Sequence, residues 1–148
     1  MKRRSRVLTR FRTRAAKFLN ENLGTEIETE PMRRGRLAHD RGMRAEDRVA
    51  NALEKKNWLV KRSPGSRGLH DIEAFRSGER LFGQVKSGGA WPSTDETVSL
   101  AKRAARKGAS AAIFHEHRGC IDIHPVCRWC GKAGRPGQES CANCGQPF

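Results

Sequence analysis

Apolar positions recur along this chain at two spacings. Leu8, Phe11, Ala15 and Phe18 fall at steps of three or four and predict an amphipathic helix near the start, ending at Asn20–Gly24 with Gly24 as a cap. A second helix is expected over about 40–56. Met43, Glu46, Ala50 and Leu53 share its inner stripe, which sets a carboxylate among apolar neighbours. Strands are expected over 57–62, 70–75 and 80–86. A Gly- and Ser-rich turn at 63–68 separates the first two, and a hairpin at Ser77-Gly78-Glu79 the next two. Ser93-Thr94-Asp95 can cap a helix over 95–107, and alanines at 101, 104 and 105 allow it to pack closely. Two last strands are expected over 110–114 and 120–123. Helix, three strands, helix and two strands make a compact α/β layer.

Charge narrows the choice of partners. The 148 residues include 30 Lys and Arg against 16 acids, a net charge of +14. Such a field concentrates polyanions, nucleic acid first. Eight basic residues and no acid lie within residues 1–17, which reads as an arm along phosphates. Pro31–Arg36 reads as a basic linker. No apolar run approaches the roughly 20 residues that span a bilayer, and the basic start lacks the apolar segment of a signal peptide. A cytoplasmic protein without membrane contact is expected, either nucleoid-associated or phage-encoded.

The strands carry candidate chemistry. Residues two apart on a strand share a face, so Gln84 and Lys86 point the same way. Asp71 on the neighbouring strand can meet them, and Glu46 can reach in from the helix. Carboxylates suit a hard cation such as Mg2+, and a lysine can orient water and offset developing negative charge. Together these groups fit phosphodiester cleavage. Glu73, two residues past Asp71, is expected to be a sheet-edge charge whose replacement by alanine leaves cleavage intact.

Gly42-Met43-Arg44-Ala45-Glu46, Trp58-x-Val60-x-Arg62-Ser63-x-Gly65-Ser66, His70-Asp71-Ile72 and Gln84-Val85-Lys86 occur in one order. Over residues 37–125 this order resembles the archaeal-type Holliday junction resolvases of the PD-(D/E)xK restriction-endonuclease-like superfamily. The resemblance implies a mixed central β-sheet flanked by helices. It also implies a homodimer, Mg2+ or Mn2+ as cofactor, and paired nicks across a four-way DNA junction. It gives Glu46, Asp71 and Lys86 the catalytic places, Glu46, Asp71 and Gln84 the metal, and the turn residues Arg62, Ser63, Ser66 and Arg67 the substrate. Gln84 departs from the resolvase pattern, which has a metal-binding Glu there. An amide oxygen can ligate Mg2+ but brings no charge, and Mrr-type restriction enzymes are similar in using Q-x-K. Gln84→Glu is therefore expected to tighten Mg2+ binding.

Cys127-x-x-Cys130 and Cys141-x-x-Cys144, ten residues apart, have the ligand arithmetic of a four-cysteine structural zinc site. Two disulfides would need an oxidising compartment that nothing else in the chain suggests. Too short for a core of its own, this segment would draw its stability from Zn2+. Trp129 could stack on a base or cap the site. Cys120 reads as a buried strand residue, and His115, His117 and His124 as strand-surface histidines. The expected layout is a basic helix, arm and linker over 1–36, a nuclease-like core over 37–125 and a zinc ribbon over 126–148. The expected activity is Mg2+-dependent, structure-selective DNA cleavage, most of all at Holliday junctions. An Mrr-like restriction or repair endonuclease and a catalytically impaired nucleic-acid-binding protein are the alternatives.

Overall fold

The computed structural model describes residues 28–63 and 68–148. The basic arm over 1–17, and Ser66 and Arg67 in the turn, lie outside the described residues. The chain forms two compact units, Met1–Asp40 and Arg41–Phe148. In the first, Arg36 donates to both carboxylate oxygens of Glu28 at 2.7 and 3.2 Å, and Arg34 donates to Glu30 at 3.2 Å. Exposed pairs of this kind contribute little to stability.

Helix α1 spans Glu30–Glu54. It starts earlier than the periodicity predicts, so residues 31–36 are helical and not a linker. Pro31 is tolerated in the first turn, where a backbone N–H has no helical acceptor to lose. The buried stripe is Ala45, Val49, Ala50 and Leu53, whereas Met43 is exposed. Met43 lies seven residues, about two turns, before Ala50 and so on the same side of the helix, at the edge of the stripe. Glu46 is half-buried on the flank of that stripe. The helix closes on Asn57 in the left-handed region (φ 63°). Asn57 N–H donates to the Glu54 carbonyl at 2.9 Å and Trp58 N–H to the Leu53 carbonyl at 3.1 Å. These crossed bonds satisfy carbonyls that the helix end would otherwise orphan.

The sheet holds β1 (Leu59–Arg62), β2 (Ile72–Arg76), β3 (Glu79–Ser87), β4 (Ser110–His117) and β5 (Cys120–Val126), in that spatial order. Every neighbouring pair is antiparallel except β3 and β4, which are parallel and joined through α2 (Thr94–Arg106). Two-residue turns close both tight hairpins. Ser77 and Gly78 have φ of 47° and 82°, and Arg118 and Gly119 have 49° and 81°. Two consecutive positive φ values match the right-handed twist of the flanking strands, so pairing runs up to the turn. That is why β4 reaches His117, beyond its predicted end; β5 also runs on past 123 to Val126, which pairs with Ala111. Cys120, expected to be buried, lies at the hairpin edge and is exposed.

Alternation along β3 divides the core. Leu81 and Val85 join Val49, Leu53, Ile72 and Phe114 on the α1 side. Phe82 joins Leu100, Ala101, Ala104 and Ile113 on the α2 side. Gly83 faces Phe114, and a Cβ added there would lie 2.4 Å from the ring. Gly83→Ala is therefore expected to cost about 1–3 kcal/mol by overpacking, read as a lower urea midpoint at unchanged m-value. Adding Phe114→Leu should return part of that loss.

Candidate active site and four-cysteine centre

Gln84 and Lys86 lie on the α2 face of β3, as their spacing requires. Asp71 directly precedes β2. Its backbone N–H donates to the Gly83 carbonyl at 2.9 Å, and its own carbonyl accepts from Ser63 N–H at 3.0 Å, so pairing across β1, β2 and β3 continues through this residue. Its Oδ2 accepts the Val85 backbone N–H at 2.7 Å. Burial pushes the Asp71 carboxyl above its ordinary value, against the pull of the Val85 N–H and of Lys86.

A further acid enters from a direction that the strand pattern does not show. Ser93 caps α2, its hydroxyl accepting from Glu96 N–H at 3.2 Å while Glu96 Oε2 accepts from Ser93 N–H at 2.6 Å. This reciprocal pair is a capping box. The other oxygen, Oε1, accepts from Gln84 Nε2 at 3.2 Å and from Lys86 Nζ at 3.1 Å. The Ser93 N–H, helped by Lys86, holds the Glu96 carboxyl down to about 2. The group is charged at any pH near neutrality. The readable signal was Ser-x-x-Glu at the start of the helix after the lysine strand. Its capping role explains the motif fully, so nothing in the sequence marks a second role.

Gln84 is almost fully buried, and its Oε1 has no hydrogen-bond partner among the described residues. An orphaned buried carbonyl oxygen costs free energy unless something meets it. A hard cation is one such partner, and the oxygen donors of Asp71 and Gln84 suit it. His70, beside Asp71, stacks on Phe82 with ring centroids 4.4 Å apart; its Nδ1 is buried and likewise unpartnered. Burial, reinforced by Arg103, pushes the His70 imidazole below its usual value and so favours the neutral ring.

The other predicted site residues are placed as follows. Glu46 is half-buried on α1, next to the buried Ala45 and to Asp47. The Asp47 carboxylate is ion-paired with Arg62. Ser63 is tied to Asp71 through its backbone, as described. Glu73 is engaged by the Arg80 guanidinium. Its carboxylate is thus committed within the sheet.

The four cysteines converge. Cys127 Sγ lies 3.6 Å from Cys144 Sγ, and Cys130 Sγ lies 3.5 Å from Cys141 Sγ. Thiolates at about 2.3 Å from a tetrahedral zinc stand roughly 3.8 Å apart, so the donor set fits that ion with little movement. Gly131 (φ 73°) and Gly145 (φ 73°) follow the second cysteine of each pair, and their N–H groups donate to the Cys127 and Cys141 carbonyls at 2.8 Å. Backbone N–H groups of Cys144 and Asn143 draw the Cys141 thiol down to about 7, whereas burial and the three neighbouring sulfurs push the Cys144 thiol up to about 12. The cluster is built into the larger unit. Cys127 is fully buried, Ala133 packs on the α2-side core, and a Cβ at Gly131 would lie 2.7 Å from Val98 Cγ2.

No protein-family model matches the chain, and a comparison with curated proteins finds no match. Among solved structures the chain is similar to Archaeoglobus fulgidus Hjc, described as a Holliday junction resolvase from an archaeal hyperthermophile. The TM-score is 0.51 and the identity 27%, over 57% of this chain and 72% of that one. The mixed five-stranded sheet with its two helices matches the fold of that nuclease, in agreement with the restriction-endonuclease-like architecture expected. No helix among the described residues is long and apolar enough to cross a membrane.

Cys127→Ser is expected to weaken the thiolate-to-cobalt charge-transfer absorption of Co2+-loaded protein and to lower its Co2+ affinity. It should also lower the thermal midpoint, because metal binding on the order of 10 kcal/mol would no longer fully secure this segment.

Proposed function

We propose that the protein is a metal-dependent endodeoxyribonuclease that acts on branched DNA, with the four-way junction as its preferred substrate. The observation that carries this reading is the meeting of Asp71, Gln84, Lys86 and Glu96 on one face of the sheet. The likeness to Hjc supports it, as does the net charge of +14. In this reading Asp71, Gln84 through Oε1, and Glu46 from α1 hold Mg2+ or Mn2+. The bound ion supplies charge neutralisation at the scissile phosphate. Lys86 donates to the attacking water and to the phosphoryl oxygens, and Glu96 holds its ammonium in place. Glu96 also brings the negative charge that Gln84 lacks. Arg62, Ser63, Ser66 and Arg67 hold the backbone of the substrate. The four cysteines hold a structural Zn2+. Two copies of the chain, related by a two-fold axis, would nick opposite strands of a junction; the protein would then act in recombination and repair in the cytoplasm.

A second reading rests on Gln84. Its amide is already satisfied by Glu96 on the N–H side. A Q-x-K site completed by an acid from elsewhere serves an Mrr-like nuclease on linear duplex equally well.

The two readings separate in one assay. Purified protein is offered a labelled four-way junction, a matched linear duplex and RNA, with Mg2+ and then with EDTA. Symmetric nicks on the junction alone support the resolvase. Cuts in linear duplex support the second reading, and binding without cleavage under either Mg2+ or Mn2+ refutes both. Lys86→Ala is expected to reduce cleavage about a hundredfold or more while leaving junction binding intact. Binding itself should weaken steeply with salt, since phosphate contacts dominate.

The structure refines the expectation for Gln84→Glu. A carboxylate there loses the hydrogen bond to Glu96 and faces a like charge, so the metal-free variant should melt below wild type. Mg2+ should raise its melting temperature more than it raises that of the wild type. An equal Mg2+-induced shift in both proteins would place residue 84 outside the metal shell.

A further inference from the structure

On the α2 face, one strand beyond Lys86, the sheet carries a second polar cluster that the nuclease reading does not use. His115 is the register partner of Lys86 on β4 and of Asp122 on β5. His124 is the partner of Ile113, so His115, Asp122 and His124 share this face. One ligand atom from each lies within 4.8 Å of the others. All three residues are half-buried.

The rings are oriented from behind. His115 Nε2 lies 2.7 Å from the Gly88 carbonyl, and His124 Nδ1 lies 3.0 Å from the Gly134 carbonyl. A carbonyl only accepts, so these nitrogens carry hydrogen. In the neutral rings this leaves a bare lone pair on Nδ1 of His115 and on Nε2 of His124. A backbone acceptor that fixes the tautomer of an imidazole is the usual support behind a metal-binding histidine. Asp122 is supported likewise, since its Oδ2 lies 2.8 Å from His117 Nε2. Trp91 lies nearly perpendicular to both rings, 5.7 Å from His115 and 4.8 Å from His124 between centroids. The hydrogen bond with His117 accounts for Asp122 but not for two further imidazoles turned onto the same patch.

We propose that His115, Asp122 and His124 bind a divalent transition ion of the zinc class, separate from the four-cysteine centre and from the oxygen-lined cation site at Asp71. Two imidazoles and one carboxylate suit such an ion, whereas Mg2+ prefers oxygen donors throughout. Three protein ligands leave a position for water. The ligand atoms stand within 4.8 Å of one another, against roughly 3.4 Å in a closed tetrahedral nitrogen and oxygen site, so at most small side-chain rotations complete it. The bound ion would tie the loop that leaves β3 at Gly88 to the cysteine segment at Gly134.

The test is a zinc count on the full chain after dialysis against Zn2+ and removal of loosely held metal. Wild type is expected to retain an equivalent beyond the one held by cysteine. The double variant His115→Ala/His124→Ala should lose that extra equivalent, and Asp122→Asn should weaken it more than about tenfold. Asp71→Asn should keep it, which separates this site from the catalytic cation. The cobalt–thiolate absorption of the cysteine centre, preserved in every variant, shows that the chain remains folded. A wild type that retains only the cysteine-held ion, or an extra equivalent that survives the double variant, overturns the proposal. Neither outcome bears on the nuclease reading, which is tested by cleavage.

Discussion

One carboxylate joins the beginning of α2 to the lysine strand. Oε2 of Glu96 closes the helix cap on Ser93, and Oε1 receives Gln84 and Lys86. The two oxygens cannot be served independently, because a side chain that caps the helix must place its other oxygen where the strand can reach it. The position of α2 and the orientation of two site residues are therefore set together. Helix caps of this kind contribute about 1 kcal/mol. Here the same bond also determines where an ammonium group points.

Alternation on β3 supplies the second constraint. Because successive side chains oppose each other, the strand can bury Leu81 and Val85 under α1 while offering Gln84 and Lys86 to α2. Gly83 sits between them and leaves room for the Phe114 ring. The backbone of Val85 contributes as well, since its N–H anchors Asp71. An apolar residue of the core thus positions an acid of the candidate site through its main chain, which no inspection of side-chain types would reveal.

Much of this was legible in the chain, and the rest was hidden for identifiable reasons. Ser77-Gly78 and the paired cysteines have strong local signatures, so the turn and the four-sulfur cluster stand where expected. Asp71, Gln84 and Lys86 are neighbours because period-two alternation on adjacent strands leaves few other arrangements. Glu96 escaped because a cap residue needs no further explanation. The N-terminal reach of α1 was underestimated because proline and glycine at 31 and 35 read as linker residues, although proline in a first turn costs little. The expected stripe on α1 shares Ala50 and Leu53 with the buried one, but it runs on to the exposed Met43 and leaves out Ala45 and Val49. The cluster of His115, Asp122 and His124 depends on strand lengths set by the Arg118-Gly119 turn, and only the register brings a carboxylate between the imidazoles.

The close approach of Gly131 to Val98 bears on how the molecule can be handled. Val98 lies two residues after Glu96 on α2, and the cysteine segment also covers the core through Ala133. Cutting the polypeptide after residue 125 to obtain a minimal catalytic fragment would strip the cover from this helix just past its capped end. Such a fragment would bare apolar surface beside its own lysine and acids, and would be prone to clump in the tube before its chemistry could be assayed.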